Sequence, residues 1–341
     1  MSILAAKSVP EVAIVGAGVA GLACAAQLRA AEVSVTVFDK GRRPGGRMSS
    51  RSLDEGLSFD HGCQFFSAND PAFGGQVKRW VDSGVVSVWR GCMIELNDGH
   101  AIQKTSSRKR YVGVPEMASV CSDLATGINV RSGVGVNEVR RIQEMWHLLD
   151  DSGAFLGQFD ALIVATPPAQ TEKLVTHVPS LLSVARRVRM SSCWSVMLAF
   201  PVRLDCSFDG AQVHNSSLTW IARNSSKAGR IDTPECWVGQ SSAGWSANRL
   251  GDSRDTIATE LADEFGKLVG VAMEPEYLSA HRWKYAIPTT PLDLDTGCLF
   301  DDALNIGLCG DWCLGNRVQA AWLSGTAAAT RVLAKLRSAL D

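Results

Sequence analysis

The 341-residue chain has no apolar run long enough to cross a membrane. Its first ten residues hold one Lys and a short apolar patch, too small for a secretory signal. A cytoplasmic location is the expectation, with an organellar leader left open. Charge of one sign is also missing: the net charge is −1, so no basic field favours nucleic acid or an anionic membrane. The ten cysteines form no C-x-x-C pair, and Cys309 and Cys313, the closest two, have three residues between them. That scatter suits buried, reduced thiols. The six histidines show no H-E-x-x-H and no zinc-like spacing with Cys, so no metal site is expected. Ser-His-Asp and paired-carboxylate signatures are absent too.

The composition, 46% hydrophobic and 20% charged, is that of an ordinary globular enzyme. The length exceeds what one core usually serves and points to two joined domains. Val12–Val15 reads as a strand buried on both faces, Ala20–Ala31 as a helix and Val33–Phe38 as a second strand, together a βαβ unit. Gly41–Gly46 is a loop by composition. Further along, strands are expected at 85–89, 92–96, 128–130, 134–142, 145–149, 159–165, 192–200, 217–222 and 237–241. The segment Asn97-Asp98-Gly99 reads as a turn, and Arg108-Lys-Arg110 as a solvated loop. A helix with Pro at its first turn is expected over 115–124, and others over 252–269 and 318–340. The expected fold class is α/β, a Rossmann-like domain with a mixed-sheet substrate domain. The nucleotide domain is expected to be discontinuous (1–75, 110–170 and 300–341), with 76–109 and 171–299 forming the other.

Gly16-x-Gly18-x-x-Gly21 sits between the first strand and the first helix. The first glycine permits a tight turn, the second lets backbone approach a pyrophosphate, and the third lets helix and sheet pack closely. Ala17 and Ala20 lie within the same cradle. The helix start offers free N–H groups and a positive dipole end. Asp39 follows at the end of the second strand, about 20 residues on, where an acid accepts hydrogen bonds from the adenosine ribose and repels a 2′-phosphate. Lys40 adjoins it, and Arg42 and Arg43 read as loop charges near phosphate. In Pro44-Gly-Gly46-Arg47-Met48, glycines flank an Arg whose guanidinium suits phosphate. Near the other end, a strand-like run (304–309) leads into Gly310-Asp311. Asp311 suits the ribityl hydroxyls. The helix opening at Val318 and Gln319 can aim its N-terminal N–H groups at a flavin pyrimidine ring, where reduced flavin carries negative charge.

These residues, with Asp60-x-Gly62-x-Gln64-Phe65-Phe66, resemble the FAD-dependent amine-oxidase superfamily. Within it the resemblance is to bacterial renalase-like proteins, through Gly45–Ser50, Trp220–Asn224, His281-x-Trp283-x-Tyr285-Ala286 and Gly310-Asp311-Trp312. The resemblance spans the whole length. It implies FAD in a fold like p-hydroxybenzoate hydroxylase, with the Val136 backbone holding the adenine and Gln64 beside the isoalloxazine. It also implies hydride transfer from 2- or 6-dihydro isomers of NAD(P)H, with dioxygen as acceptor. Bacterial relatives often have His where this chain has Gln240, which cannot titrate.

Loss of hydride from a dihydropyridine leaves an aromatic cation with no proton to remove, so position matters more than a base. The substrate-side candidates are Trp220, Asn224, Gln240, His281, Trp283 and Tyr285, aromatic walls and amides for a carboxamide. Lys284 reads as a solvated lysine, with a Lys–water–flavin contact as the alternative, and covalent flavin attachment through Cys309 or Cys313 is not expected. An amine oxidase or desaturase is the alternative enzyme reading. A flavin fold serving as a non-catalytic binding protein is the alternative of another class.

Overall fold

Val12, Ala13 and Ile14 are wholly inaccessible, as a strand covered on both faces requires. They belong to the strand Glu11–Val15, which lies inside a six-stranded sheet of the computed structural model. The structure describes residues 9–53, 56–97, 100–103 and 108–338. The sheet order is Leu299–Asp301, Ile306–Leu308, Ala161–Val164, Glu11–Val15, Ser34–Asp39 and Asn129–Ser132. All neighbours are parallel except the first two. The chain steps from Glu11–Val15 outward on one side and later returns to the other. The carboxyl end of that strand is therefore a topological switch point, where open α/β sheets bind ligands.

The chain divides into two compact units, each discontinuous. Met1–Gly46, Leu124–Arg189 and Thr290–Asp341 form one; Arg47–Asp123 and Met190–Thr289 form the other. These bounds differ from those read off the sequence, and the reason lies in the pairing. Residues 47–75 and 110–123 fall in the second unit, where Arg110–Gly113 zips antiparallel onto Val86–Trp89. Residues 171–189 and 290–299 fall in the first, where Leu174, Leu181 and Ala185 are buried with Val15, Val164 and Leu308.

Three local expectations change. The single strand expected over 159–165 is two, Phe155–Phe159 and Ala161–Val164. They break at Asp160, whose carboxylate accepts the Glu11 N–H at 2.8 Å. Arg110 is not loop but the start of a strand, its guanidinium 5.5 Å over the Phe65 ring. The helix expected from Pro115 is the shorter Ser119–Leu124, preceded by a turn. An unexpected helix, Pro71–Asp82, opens on Asp70, which accepts the Phe73 N–H at 3.0 Å, with Pro71 in the first turn. Residues 98 and 99 of the expected turn lie outside the described residues.

The second unit is built on a seven-stranded sheet. Its order is Tyr277–Pro288, Met190–Phe200, Glu235–Ser241, Leu218–Arg223, Gly210–His214, Met93–Asn97 and His100–Gln103. Alternation along Met190–Phe200 sorts its two faces. Trp194, Val196, Leu198 and Phe200 pack with Ile257, Leu261 and Phe265 of the helix Arg254–Val269. Met197 and Ala199 point the other way and pack with Phe59. Cys193 and Ser195 share that second face by the same alternation.

In the first unit the helix Val19–Ala30 packs against the last helix, Val318–Ser338. Small residues permit the contact: a methyl group at Gly325 would collide with the Ala20 carbonyl oxygen. Gly325→Ala is expected to destabilise the protein by about 1–3 kcal/mol through overpacking. Denaturant unfolding of the purified variant measures this, and an unchanged midpoint would contradict the close contact.

Candidate active site

The first unit supplies a nucleotide cradle. Gly16 has φ +113°, a conformation that side chains avoid, and its N–H donates to the Phe38 carbonyl at 2.8 Å. A methyl group at Gly21 would run into the Gly16 carbonyl, so the helix can start this close to the turn only with glycine there. Gly18 caps the helix with no side-chain acceptor. A Cβ built on it meets nothing within 4 Å. Open space thus lies before a helix start whose N–H groups and dipole favour an anion.

Asp39 accepts the Ala17 N–H at 2.6 Å and the Gly41 N–H at 2.6 Å, which ties the end of the second strand to the glycine turn. Gly45 donates to the Ala17 carbonyl at 2.9 Å, and a Cβ on Gly46 (φ +54°) would lie 3.3 Å from Gly18 Cα. The Gly45-Gly46 loop therefore folds back onto the cradle. Lys40, Arg42 and Arg43 are exposed. Gly133 and Val134 donate to the Gly41 and Asp39 carbonyls, so the segment leading to Val136 runs beside the acid. At the far end of the chain Asp311 is buried, 4% exposed, in a short 3-10 turn (Asp311–Cys313). Gly310 N–H donates to Ser324 Oγ at 3.0 Å, which fastens that turn to the last helix. Val318 and Gln319 form the half-buried first turn of that helix. Burial raises the Cys309 and Cys313 thiols well above their ordinary value, so neither is prepared as a nucleophile for flavin.

The second unit collects the other candidates. Trp220, Gln240, Ser195 and His281 pair in register across four adjacent strands and form one row on the face that carries Phe59. The segment Asp60–Phe66 is laid over this row. Gln240 Nε2 donates to the Gly62 carbonyl at 2.6 Å, and Trp283 Nε1 donates to the His61 carbonyl at 2.9 Å. The His61 ring stacks on Trp283, with centroids 5.2 Å apart, and meets His281 edge-on at 4.6 Å. Phe65 leans on Trp220 at 5.5 Å. A Cβ on Gly62 would strike the Arg47 carbonyl and approach Trp283, so only glycine allows the segment to lie this flat. Arg47 gives one guanidinium nitrogen to the Ala286 carbonyl at 3.1 Å, and Met48 is buried. Tyr285 is half-buried on the same strand as His281 and Trp283.

Burial is the main reason both imidazoles titrate low. The Arg51 guanidinium depresses His61 further, to about 4. The His61 and Arg51 charges depress His281 further, to about 3. Both rings are therefore neutral at pH 7.

Two candidates have other duties. Asn224 is wholly buried: its Nδ2 donates to the Ser58 carbonyl at 2.7 Å, and its Oδ1 accepts from Lys227 Nζ at 3.0 Å. It is scaffold rather than a surface for a carboxamide. Lys284 is exposed and alternates with His281, Trp283 and Tyr285, so it faces away from them. The buried lysine on this side is Lys227, which sequence reasoning missed. A Lys following Asn224-Ser-Ser carries little signal when read alone. Among the described residues no cluster of His, Cys, Asp and Glu could hold a metal ion, and no helix is long and apolar enough to cross a membrane.

A parallel sheet with a glycine cradle at its switch point, joined to a mixed-sheet unit, defines a dinucleotide-binding oxidoreductase fold. Family models match accordingly: an NAD(P)-binding Rossmann-like domain over residues 14–85 and a flavin containing amine oxidoreductase over residues 92–333. The chain belongs to the flavin-containing amine oxidoreductase family, and FAD is its cofactor. It is similar to the 4,4′-diapophytoene desaturase (4,4′-diaponeurosporene-forming) of Staphylococcus haemolyticus, 53% identical over 51 residues, 15% of this chain and 10% of that protein. It is also similar to protoporphyrinogen oxidase 2 of Arabidopsis thaliana, 41% identical over 69 residues, 20% of this chain and 13% of that protein. The matches thus span only a small part of these curated relatives. Among solved structures it shares its fold with cyclohexylamine oxidase from Brevibacterium oxydans (TM-score 0.76, 13% identity, covering 96% of this chain and 99% of that one). Putrescine oxidase bound to putrescine shares it too (TM-score 0.68, 14% identity, covering 95% and 99%).

A Cβ at Gly18 meets no atom within 4 Å, so Gly18→Leu projects from there into the open space. It is expected to stay within about 1 kcal/mol of wild-type stability and to bind FAD at least about tenfold more weakly, a loss of ~1.4 kcal/mol. Flavin titration beside thermal melting checks both. The neutral imidazoles give a second expectation. His61 takes up its proton near pH 4 when folded and near 6.5 when unfolded. Unfolding therefore binds protons, and stability falls as pH drops through that window. His281, lowered to about 3, acts in the same direction. Denaturation midpoints between pH 7 and 4 should decline less steeply in His61→Phe than in wild type, and an equal slope would show that His61 is not the source.

Proposed function

We propose that this chain is an FAD-dependent oxidase of misplaced-hydride isomers of NAD(P)H, the 2- and 6-dihydro forms. The products are NAD(P)+ and, from dioxygen, hydrogen peroxide. The supporting observation is the row Trp220, Gln240, Ser195 and His281, a line of aromatic and uncharged hydrogen-bonding groups whose imidazole is held neutral. The edges of Trp220, Gln240 and His281 that stay half-buried under the overlying segment suit a flat, uncharged ring that gives up a hydride and needs no base. Trp220 and Tyr285 wall the ring. Gln240, with one N–H given to Gly62, offers its amide oxygen to the ring carboxamide. Trp283 and His281 act through His61, holding the overlying segment in place.

FAD, when bound, supplies the hydride acceptor and the route of electrons to dioxygen. Gly16, Ala17, Gly18, Ala20 and Gly21 receive its pyrophosphate and Asp39 its ribose. Lys40, Gly46, Arg47 and Met48 border the nucleotide. Val136 holds the adenine through its backbone, Asp311 takes the ribityl chain, and Val318 and Gln319 present the helix start to the pyrimidine ring. Gln64 borders the isoalloxazine.

Anaerobic mixing of the yellow holoprotein with 6-dihydro-NAD should bleach the flavin within seconds, while putrescine and cyclohexylamine leave it oxidised. Bleaching by an amine alone would replace this reading with amine oxidation. A purified protein that takes up no flavin would favour a binding role instead.

A further inference from the structure

Lys227 has no part in the site as read so far, yet its side chain is wholly buried beside an equally buried Asp60. The ammonium has three N–H groups and three acceptors: Asp60 Oδ2 at 3.0 Å, Asn224 Oδ1 at 3.0 Å and Gln64 Oε1 at 3.2 Å. Gln64 in turn donates its Nε2 to the Asp60 main-chain carbonyl. Both ends of the Gln64 amide are thereby assigned. Exchanging them would set N–H groups against an ammonium and one carbonyl oxygen against another. Arg230 shares the carboxylate, Nη2 to Oδ2 at 2.6 Å, so two cations face one anion and the positive excess opposes that exchange further.

We infer that Lys227 is a positioning residue whose ammonium locks the Gln64 amide in one orientation, oxygen toward Lys227, which leaves the second N–H as the donor Gln64 offers a ligand. A ligand bound there must present an acceptor, a carbonyl or a ring nitrogen, to that edge. The inference rests on the reading that places Gln64 beside the flavin ring.

A double-mutant cycle tests it: wild type, Lys227→Met, Gln64→Leu and the double variant, all as FAD holoprotein. The readouts are the anaerobic rate of flavin reduction by 6-dihydro-NAD and the flavin midpoint potential by dye equilibration. The potential needs no substrate, so it tests the inference even if the proposed substrate fails. Each single variant is expected to slow reduction at least about tenfold, with the double variant within about twofold of Gln64→Leu alone. The potentials should show the same non-additivity. Effects of Lys227→Met that recur in full on the Gln64→Leu background overturn the inference, because Lys227 would then act independently of Gln64. An unaltered Gln64→Leu also overturns it. If Lys227→Met does not fold, the cycle is run with Lys227→Arg, which keeps charge and donors but displaces them. In wild type the Gln64 side-chain amide should give one slowly exchanging pair of NMR signals, and two interconverting pairs would overturn the inference whatever the variants do.

Discussion

One buried carboxylate organises the second unit. Asp60 is inaccessible to solvent and accepts at both oxygens: Ser50 Oγ and the Met117 N–H on one, Lys227 and Arg230 on the other. Burial alone would raise its pKa, but the two cations and the Met117 N–H overcome this and hold it well below the usual carboxylate range. The partners come from both chain segments of the unit, so the carboxylate stitches 47–123 to 190–289. Removing one partner of such a network typically costs about 3–5 kcal/mol, because a charge is left buried and unpaired. The segment Asp60–Phe66 starts at this anchor. The sheet row beneath Gly62 has its covering only because the anchor fixes where that segment begins.

Glycine plays the corresponding part in the first unit by allowing backbone to approach backbone. Gly21 abuts the Gly16 carbonyl, Gly46 abuts Gly18, and Gly325 abuts Ala20. A single methyl group would collide at Gly21 and at Gly325, and at Gly46 it would crowd Gly18. The cradle is thus shaped by what is missing from side chains, whereas the sheet face of the second unit is shaped by large aromatic rings.

The nucleotide half was readable from sequence because its rules are local. A buried strand, spaced glycines and an acid at the end of the next strand occupy adjacent positions in the chain, and they appear in the structure as expected. The row of Trp220, Gln240 and His281 was partly legible as residues, through family resemblance, but not as a row. Its alignment depends on strand register and on an irregularity between Leu218 and Trp220. Lys227 was invisible, since a lysine is ordinarily solvated and nothing nearby in sequence announces a carboxylate 167 positions away. The helix Pro71–Asp82 did carry a signal, Asp70 followed by Pro71, that a hydrophobic-pattern reading passes over.

The contact between Gly325 and Ala20 has a consequence for biosynthesis. The first βαβ turn leaves the ribosome before the helix that covers it, which emerges about 300 residues later. At roughly 5–20 residues per second, that interval lasts some tens of seconds. During it the apolar flank of Val19–Ala30 stands uncovered, and the nascent chain must be shielded until its own distal segment arrives to close the nucleotide fold.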